Sequence, residues 1–504
     1  MQTPMQLVDA AHAAGRAFTL TLSRDEQRSA GQFMTPPAIA RFMARRLVAD
    51  FDNSCARVLE PAAGAGVLAA AVVEELLAKP NRPARIELLL YEMDARLLPM
   101  LHRLCAEIEV ACERAQVGIE TTVECRDFLL SGLALSGQPV DGLLTIGNPP
   151  FFKLNKASDL RAQMHAYAVY GQPNIYGLFM AACARLTPVN GKWCFITPRS
   201  WMNGQYFKAT RQTLLRHLSI DSLHAFESRR DSFEDDAVLQ ETVIAWATGR
   251  DTRAAGDTIL LTRSHGSVDL DATAIQTLPI ERVVANDEHA MVTLPAPGAD
   301  PLAALSDTLS SHGLKVSTGP VVAFRAAAHI RERNEPGAVP LLWLQHVGQQ
   351  QISWPIRKKR EYIKATSESA WMLVPNAPMV LMRRFSPKED PRRVTCAAYS
   401  GELPGHLLGL ENHLNYIHRP HGRMSLDEVR GLAAYLSCHQ VDIHFRALAG
   451  STQVNATELR KLPMPSLAVI EAIGRVVSPN ASLSEIDRIV HGAMGAQSRL
   501  EIAA

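Results

Sequence analysis

Four consecutive residues, Asn148-Pro149-Pro150-Phe151, have the types needed to hold and activate a planar amine. Such an amine is a poor nucleophile because its lone pair is delocalised into the attached ring. The Asn148 side-chain oxygen and the Pro149 carbonyl can accept its two N–H groups and stabilise the positive charge that develops during group transfer. The prolines stiffen the loop, and Phe151 can stack on a base. We expect these four residues to be catalytic.

A glycine-containing segment upstream of this loop, Glu60-Pro61-Ala62-Ala63-Gly64-Ala65-Gly66, follows an apolar strand and precedes a helical pattern. Gly64 and Gly66 lack Cβ atoms, which lets a ligand approach the backbone, and the N-terminus of the helix favours a carboxylate. A lone G-x-G is weak evidence, because many α/β turns carry it for packing. We expect a cofactor to contact Glu60, Pro61, Ala62, Gly64 and Gly66.

Two further strands end in residues suited to a nucleoside. Glu92, at the end of one strand, can bind the two hydroxyls of a ribose. In the next, Asp127 can accept from an adenine amine and Phe128 can pack on the ring. Each carboxylate alone is more often a solvated loop residue, but successive strand ends in register favour S-adenosylmethionine (SAM), a methyl donor.

A segment closer to the N-terminus also suits the cofactor. Thr35 is a candidate N-cap of an amphipathic helix, with Pro36 as the first helical residue. One interpretation is only a capped helix. The other adds a hydroxyl and amides that hold the methionine part of SAM, so Thr35 and Pro36 join the predicted cofactor residues.

The elements that must position these residues alternate between strand-like and helix-like patterns over residues 54–250. This alternation predicts an α/β fold with a doubly wound, mostly parallel, Rossmann-like sheet. The ligand is then expected at the carboxyl ends of the strands. After the Pro-rich segment 295–301 the alternation is lost, which indicates an irregular α+β domain.

We therefore expect five regions. They are an N-terminal extension (1–29), a catalytic domain (30–250), a linker region (251–300), a target-recognition domain (301–465) and a C-terminal helical segment (466–504).

Charge is unevenly distributed along this chain of 504 residues, whose net charge is +1. Residues 301–465 carry 20 basic and 13 acidic residues, a balance of +7, whereas the remainder has a balance of −6. A basic segment suits a polyanionic partner such as double-stranded DNA. Random partition of a nearly neutral surface is the alternative.

The eight cysteines are scattered without a C-x-x-C pair, which argues against a metal site or a disulfide scaffold and favours reduced thiols. No long apolar run or signal peptide is evident. We expect a cytoplasmic, nucleoid-associated protein with no membrane partner.

The order of these segments resembles the γ class of adenine-N6 DNA methyltransferases of restriction–modification systems. Asn174-Ile175-Tyr176-Gly177-Leu178-Phe179 and Phe195-Ile196-Thr197-Pro198-Arg199-Ser200-Trp201 also match this class, and the resemblance covers roughly residues 30–250. It implies a fold that binds SAM, with Phe179 as a further contact to the adenine ring.

In this class a second aromatic residue contacts the target base. The resemblance implies that Phe233 is that residue, with Tyr206 and Phe207 as alternatives.

The resemblance also implies that a C-terminal domain reads DNA. Residues 317–325, which end in Arg325, and residues 451–463 resemble segments of such domains. The basic run Arg357-Lys358-Lys359-Arg360 is a natural phosphate contact, although a solvated loop is about equally consistent with it. Further candidate DNA contacts are Arg383, Arg384, Arg392 and Arg393.

The expected activity is site-specific methyl transfer from SAM to N6 of an adenine flipped out of double-stranded DNA. The chain would be the modification component of a restriction–modification system, and any cognate endonuclease would be a separate chain. The alternatives are a protein-glutamine or RNA adenine methyltransferase and a modification subunit that needs a separate specificity chain. Protein-glutamine enzymes share the Asn-Pro-Pro-aromatic loop but are usually much shorter.

Overall fold

The chain folds as two compact units, Met1–Leu294 and Pro295–Ala504. The computed structural model describes residues 6–23, 26, 34–131, 141–226, 242–250, 257–270, 274–295, 302, 305–357, 360–386, 390–448 and 454–502. Within these ranges, no helix is both long and apolar enough to span a bilayer.

In the described part of the chain, the first unit is built on a nine-stranded sheet. The strands are β1 (Cys55–Glu60), β2 (Arg85–Tyr91), β3 (Gly118–Glu124), β4 (Leu143–Gly147), β5 (Lys192–Pro198), β6 (Leu218–Phe226), β7 (Thr242–Gly249), β8 (Thr258–Ser264) and β9 (Gln276–Pro279). They lie in the order β3-β2-β1-β4-β5-β7-β6-β8-β9. The first five strands of this order are parallel to one another, and β7 is antiparallel to both of its neighbours. The predicted α/β fold with a mostly parallel sheet is confirmed.

Helices cover this sheet and connect its strands. They are α1 (Leu7–Thr19), α2 (Pro37–Leu47), α3 (Val67–Ala78), α4 (Leu98–Arg114), α5 (Phe128–Ser131), α6 (Leu160–Met164), α7 (Ile175–Leu186), α8 (Lys208–His217) and α9 (Ile280–Val283).

The sheet separates two hydrophobic cores, and alternate residues of a strand enter opposite ones. On β5, Trp193 and Phe195 belong to one core, whereas Cys194 and Ile196 belong to the other. A strand buried on both faces reads as a continuous apolar run, which is why β5 was evident from the sequence.

The N-terminal extension contributes to the first unit. Leu7, Val8 and Ala11 of α1 are buried in the same core as α2 and α3. The backbone N–H of Val8 also donates to Glu74 at 3.1 Å.

Much of the region predicted as a linker is instead part of the sheet. β8 pairs in parallel with β6, and β9 pairs antiparallel with β8 at the edge. Only Leu278 of β9 is buried. The prediction was wrong here because a short edge strand with one solvated side is too polar to resemble a core strand.

A buried histidine links β6 to β8. His224 is fully buried, its Nδ1 lies 2.8 Å from the Thr262 hydroxyl and its Nε2 lies 2.9 Å from the Ser264 hydroxyl. Ser264 donates its own proton to the carbonyl of Gly266, so it must accept from Nε2–H, while Nδ1 accepts from Thr262. The imidazole is thus neutral, and burial lowers the pKa of His224 to about 4.

We expect this histidine to make the folded protein less stable in acid. Between the folded pKa of about 4 and the ordinary value of 6.5, only the unfolded chain binds the proton. The free energy of unfolding is therefore highest above pH 6.5. It falls by up to about 3 kcal/mol as the pH is lowered through this window. His224→Gln should flatten the stability–pH curve there by about 1.4 kcal/mol per pH unit, measured by urea unfolding. An unchanged slope would contradict the assignment.

Among its described residues, the second unit has two small sheets. Its strands are β10 (Lys315–Thr318), β11 (Ile330–Arg331), β12 (Ala338–Leu342), β13 (Tyr362–Lys364), β14 (Leu373–Pro375), β15 (Met379–Arg383), β16 (Cys396–Tyr399), β17 (Leu407–Leu410) and β18 (Leu414–His418). One sheet has the order β10-β18-β15-β16 and is antiparallel, and the other has the order β11-β13-β12-β17-β14. The architecture of this unit is α+β.

Five described helices complete the second unit: α10 (Leu426–Ser437), α11 (His439–Leu448), α12 (Ala456–Arg460), α13 (Leu467–Val476) and α14 (Leu483–Ile502). Two glycines bring α10 and α13 into backbone contact. A Cβ added at Gly431 would lie 1.8 Å from the carbonyl oxygen of Ile470, and one at Gly474 would lie 1.8 Å from that of Asp427. Apolar residues of α13 and α14 are also buried in the same core as α10.

Candidate active site

A cavity of about 480 Å³ lies in the first unit where the chain leaves β1, β2, β3 and β4. Its position is the expected one, because β1 pairs with β2 on one side and β4 on the other, which opens a crevice at their carboxyl ends. Most of the predicted cofactor residues line it: Thr35, Glu60, Pro61, Ala62, Gly64, Glu92, Asp127, Phe128 and Phe179. Asn148 and Pro150 of the acceptor loop line the same cavity.

Gly64 and Gly66 have different roles. Both have positive φ, +55° and +80°, but only Gly64 lines the cavity. A Cβ at Gly66 would lie 2.5 Å from Leu104 and 3.0 Å from Leu101, both on α4. Gly66 therefore allows close packing of the turn on this helix, and the expectation that it opens the backbone to a ligand was wrong.

Gly66→Ala should destabilise the first unit by about 2–5 kcal/mol. Left-handed backbone costs a non-glycine residue roughly 1–2 kcal/mol, and forcing a methyl group onto Leu104 costs about 1–3 kcal/mol. Urea unfolding followed by hydrogen exchange of first-unit peptides measures the loss. Gly118→Ala is the matched control, since its Cβ meets nothing closer than 3.4 Å and its φ is not positive. Equal stability of the two variants would contradict this account.

Glu92 is held in place by the turn that it faces. Its two carboxylate oxygens accept the backbone N–H groups of Gly64 at 2.8 Å and Asp94 at 2.7 Å. Burial raises the pKa of this carboxyl group, and the hydrogen bonds from the two backbone N–H groups oppose that rise. Its orientation is fixed, and each oxygen keeps acceptor capacity for a ribose hydroxyl.

Glu60 is almost completely buried and accepts the backbone N–H of Ala69 at 2.9 Å. Ala69 lies in the first turn of α3, so this carboxyl group satisfies one of the free amides there. Burial raises the pKa of Glu60 well above its ordinary value. Glu60 thus supports the glycine turn from inside while also lining the cavity.

Asp127, Phe128 and Phe179 form the next part of the wall. Asp127 accepts the N–H of Leu129 at 2.8 Å, which fixes its carboxylate. The rings of Phe128 and Phe179 lie nearly parallel, with centroids 5.9 Å apart and an interplanar angle of 14°. Fixed acceptors beside an aromatic wall suit a purine that carries an exocyclic amine.

Arg161, which the sequence did not indicate, also lines this cavity. Its guanidinium lies 3.5 Å from Asp127 and 2.6 Å from Asp159, and it sits over the ring of Phe152 at 5.7 Å. Nothing in the sequence marked this residue, because the contact with Asp127 exists only in the fold.

The acceptor loop is joined to the cofactor cavity by one hydrogen bond. The side-chain nitrogen of Asn148 donates to the hydroxyl of Thr35 at 3.0 Å. Thr35 is buried but is not the predicted N-cap: Pro36 occupies that position, and the helix begins at Pro37. Pro36 does not line the cavity. With the amide nitrogen committed to Thr35, the Asn148 oxygen is the group that can accept from an amine.

The rest of the loop is pinned by backbone hydrogen bonds. The N–H of Ile175 donates to the carbonyl of Phe152 at 2.9 Å, and that of Leu154 donates to Pro173 at 2.9 Å. Phe152 lines the cavity, whereas Pro149 and Phe151 do not. Phe151 instead packs edge-on against Tyr176, with ring centroids 5.8 Å apart.

Phe233, the predicted second aromatic, lies outside the described residues. Of its alternatives, Phe207 is buried against Tyr176 with centroids 5.0 Å apart. Tyr206 is 52% exposed and packs on Gly171, where a Cβ would lie 2.4 Å from its ring. Tyr206 is therefore the more accessible of the two.

Two of the predicted DNA contacts have internal roles. Arg393 is 3% exposed, with its guanidinium bonded to the carbonyl of Ser386. Arg392 pairs with Asp487 at 2.6 Å and donates to Ser437. Both predictions were wrong, because neither guanidinium is free to meet a phosphate.

The other predicted DNA contacts differ in exposure. Arg383 and Arg384 are half-buried and donate to the carbonyls of Val347 and Asn412. The exposed members of the set are Arg325, Arg357 and Arg360. Lys358 and Lys359 lie outside the described residues. Within the described ranges, no cluster of three or more His, Cys, Asp or Glu residues could hold a metal ion.

Known proteins match this chain along most of its length. A family model described as Eco57I restriction-modification methylase matches residues 144–233. The type II methyltransferase M.BsuBI of Bacillus subtilis is 32% identical over 470 residues, covering 89% of this chain and 90% of that protein. The type II methyltransferase M.PstI of Providencia stuartii is 28% identical over 502 residues, covering 97% and 98%. Among solved structures, the DrdV–DNA complex aligns with a TM-score of 0.48 and 14% identity, covering 92% of this chain and 58% of that one.

Proposed function

This chain belongs to the type II methyltransferases, the DNA-modifying enzymes of restriction–modification systems, and on that premise we propose that it methylates N6 of adenine in double-stranded DNA with SAM as the donor. The observation that carries the proposal is the Asn148 side chain, oriented by Thr35 in the wall of a cavity suited to adenosine. A protein-glutamine or RNA enzyme is not favoured, because the relatives named above match both units of the chain.

The residues of the cavity fit SAM, which supplies a methyl group on a positively charged sulfur. Glu92 holds the ribose hydroxyls, and Asp127 accepts from the adenine amine. Phe128 and Phe179 pack against the ring. Gly64 lets the backbone of the turn approach the ligand closely, since it has no Cβ and lines the cavity.

On the acceptor side, Asn148 and Pro149 provide two oxygens for the two N–H groups of the target amine. Accepting both hydrogens draws the nitrogen towards a tetrahedral geometry and frees its lone pair for attack. The same oxygens stabilise the positive charge on nitrogen as the new bond forms. Neither oxygen is basic enough to keep a proton, so the proton that the amine loses passes to water.

An adenine inside a duplex cannot reach Asn148, so it must rotate out of the stack. Phe151 follows Pro150 directly and stays partly exposed, which suits it to contact the extruded base. Tyr206 is the second aromatic that the described residues offer. The second unit reads the DNA sequence, and any cognate endonuclease is a separate chain.

The proposal is tested by identifying the methylated product. The full-length protein is incubated with unmodified genomic DNA and isotopically labelled SAM, and the DNA is then digested to nucleosides and analysed by mass spectrometry. We expect labelled N6-methyladenine, at one sequence context when the same DNA is sequenced for modified bases. N4-methylcytosine would overturn the choice of adenine, and label in RNA or protein but not in DNA would overturn the substrate.

A further inference from the structure

A second large cleft lies entirely within the second unit, beside its five-stranded sheet. Its volume is about 840 Å³, and its lining includes Arg333, Trp343, Arg357, Arg360 and Tyr362. Two carboxylates, Glu332 and Glu361, line the cleft as well, but the three arginines outnumber them, which suits an anionic or acceptor-rich ligand. The cavity of the first unit shares none of these residues.

The loop that carries Arg357 is held by a buried carboxylate. Glu361, which is 3% exposed, accepts the backbone N–H groups of Ile356 at 2.8 Å and Arg357 at 3.0 Å. The same oxygen lies 2.9 Å from Nε2 of His346, whose Nδ1 accepts the N–H of Trp343 at 2.7 Å. His346 is therefore protonated on Nε2 and donates to Glu361.

Two further features concern the described residues on either side of Lys358 and Lys359. Arg357 has a φ of +55°, a left-handed conformation that is uncommon for a non-glycine residue. The indole N–H of Trp343 donates to the carbonyl of Arg360 at 2.7 Å. Trp343 is itself held by His346, which is bonded to Glu361. Backbone strain of this kind persists where the surroundings fix it, and it is concentrated at functional sites.

Aromatic rings line the cleft beside the arginines. Trp343 and Tyr362 are both half-buried, and Trp354 packs edge-on against Tyr362 with centroids 5.4 Å apart. Trp343 and Tyr362 line the same cleft as Arg357. A contact to phosphate needs only charge and reach, whereas a base edge needs a guanidinium in a fixed place.

We propose that this cleft is a base-reading site and that Arg357 reads the major-groove edge of one guanine in the recognition sequence. The inference rests on the proposed function, since it assigns a specificity-determining residue to the same reaction. The fork of an arginine matches O6 and N7 of guanine with two parallel hydrogen bonds. The loop anchored by Glu361 and Trp343 presents that fork from a fixed backbone.

The test is Arg357→Gly in the full-length protein, because glycine accepts a φ of +55° without strain and removes only the side chain. The recognition sequence is first read from DNA methylated by the wild type, and kcat/KM is then measured on duplexes with one base pair changed at a time. We expect discrimination to fall by about 10–100-fold at one G·C pair and to be kept at the others. Arg357→Asn, which also tolerates this conformation, should give the same pattern.

Arg423→Ala is the matched control, an exposed arginine of the same unit outside the cleft. It should leave the sequence preference unchanged. Arg357→Gly could instead weaken binding equally for all duplexes and lower the slope of log binding constant against log salt concentration by about one. In that case Arg357 contacts phosphate and the inference is overturned. Unchanged binding and preference would also overturn it. Failure of the wild type to methylate any DNA would be a failure of the proposed function itself.

Discussion

Replacing Asn148 with alanine should lower the rate of methyl transfer to DNA about 10²–10³-fold, while the affinity for SAM stays within about three-fold of wild type. The substitution removes the oxygen that accepts from the target amine, and that oxygen acts mainly as charge develops on nitrogen. Single-turnover methylation at saturating SAM measures the rate, and calorimetry measures the affinity. Because only the transition state is affected, kcat should fall far more than the apparent affinity for DNA.

Asn155→Ala is the matched control for this experiment. Asn155 lies on the same loop, but its side-chain oxygen accepts the N–H of Ala157 at 2.9 Å and it does not line the cavity. Its rate should remain close to that of the wild type. Activity of Asn148→Ala within a few-fold of the wild type would remove Asn148 from the chemistry.

Replacing Asp127 with alanine should give the opposite pattern, a loss of SAM affinity of about 10–100-fold with a nearly normal rate at saturating SAM. A hydrogen bond to a charged group contributes roughly 1.5–3 kcal/mol, and Asp127 is held by Leu129 so that its carboxylate faces the cavity. The loss of charge also leaves Arg161 without one of its two acidic partners. Calorimetric titration with SAM measures the change.

Glu120→Ala tests whether a carboxylate outside the cavity would have this effect. Glu120 lies on β3, the strand that precedes Asp127, but its side chain is 60% exposed and pairs with Arg85 away from the cavity. It should bind SAM as the wild type does. Unchanged affinity in Asp127→Ala would show that Asp127 does not contact the cofactor.

Elements with strong local signals were predicted from the sequence alone. The alternation of strand-like and helix-like patterns over residues 54–250 is such a signal, and the helices Val67–Ala78 and Ile175–Leu186 lie within it. β8 and β9 were missed because their place in the sheet depends on pairing, of β8 with β6 and of β9 with β8. Edge strands of this kind are specified by neighbours far away in the chain.

The same distinction holds for the site. Neighbouring residues of one turn could be predicted to share a site, and Glu60, Pro61, Ala62 and Gly64, at the end of β1, all line the cavity. The hydrogen bond from Asn148 to Thr35 and the ion pair between Arg161 and Asp127 could not, since each joins distant parts of the chain. Likewise, Arg393 looked like a surface cation in the sequence, and only the fold shows that it is buried.

The contact between α10 and α13 bears on how recognition can be exchanged between related enzymes. At Gly431 and Gly474 the backbones of the two helices are in contact, with no room for a side chain. A graft that ended at residue 465 would include α10 but leave out α13, its partner in this contact. It would also strip Ile470, Ile473 and Ile486 from a core that includes Leu432. On the proposed role of the second unit in reading DNA, a chimaera with altered target sequence should therefore be cut near Pro295 and keep the whole second unit, so that α13 and α14 stay with the core that they complete.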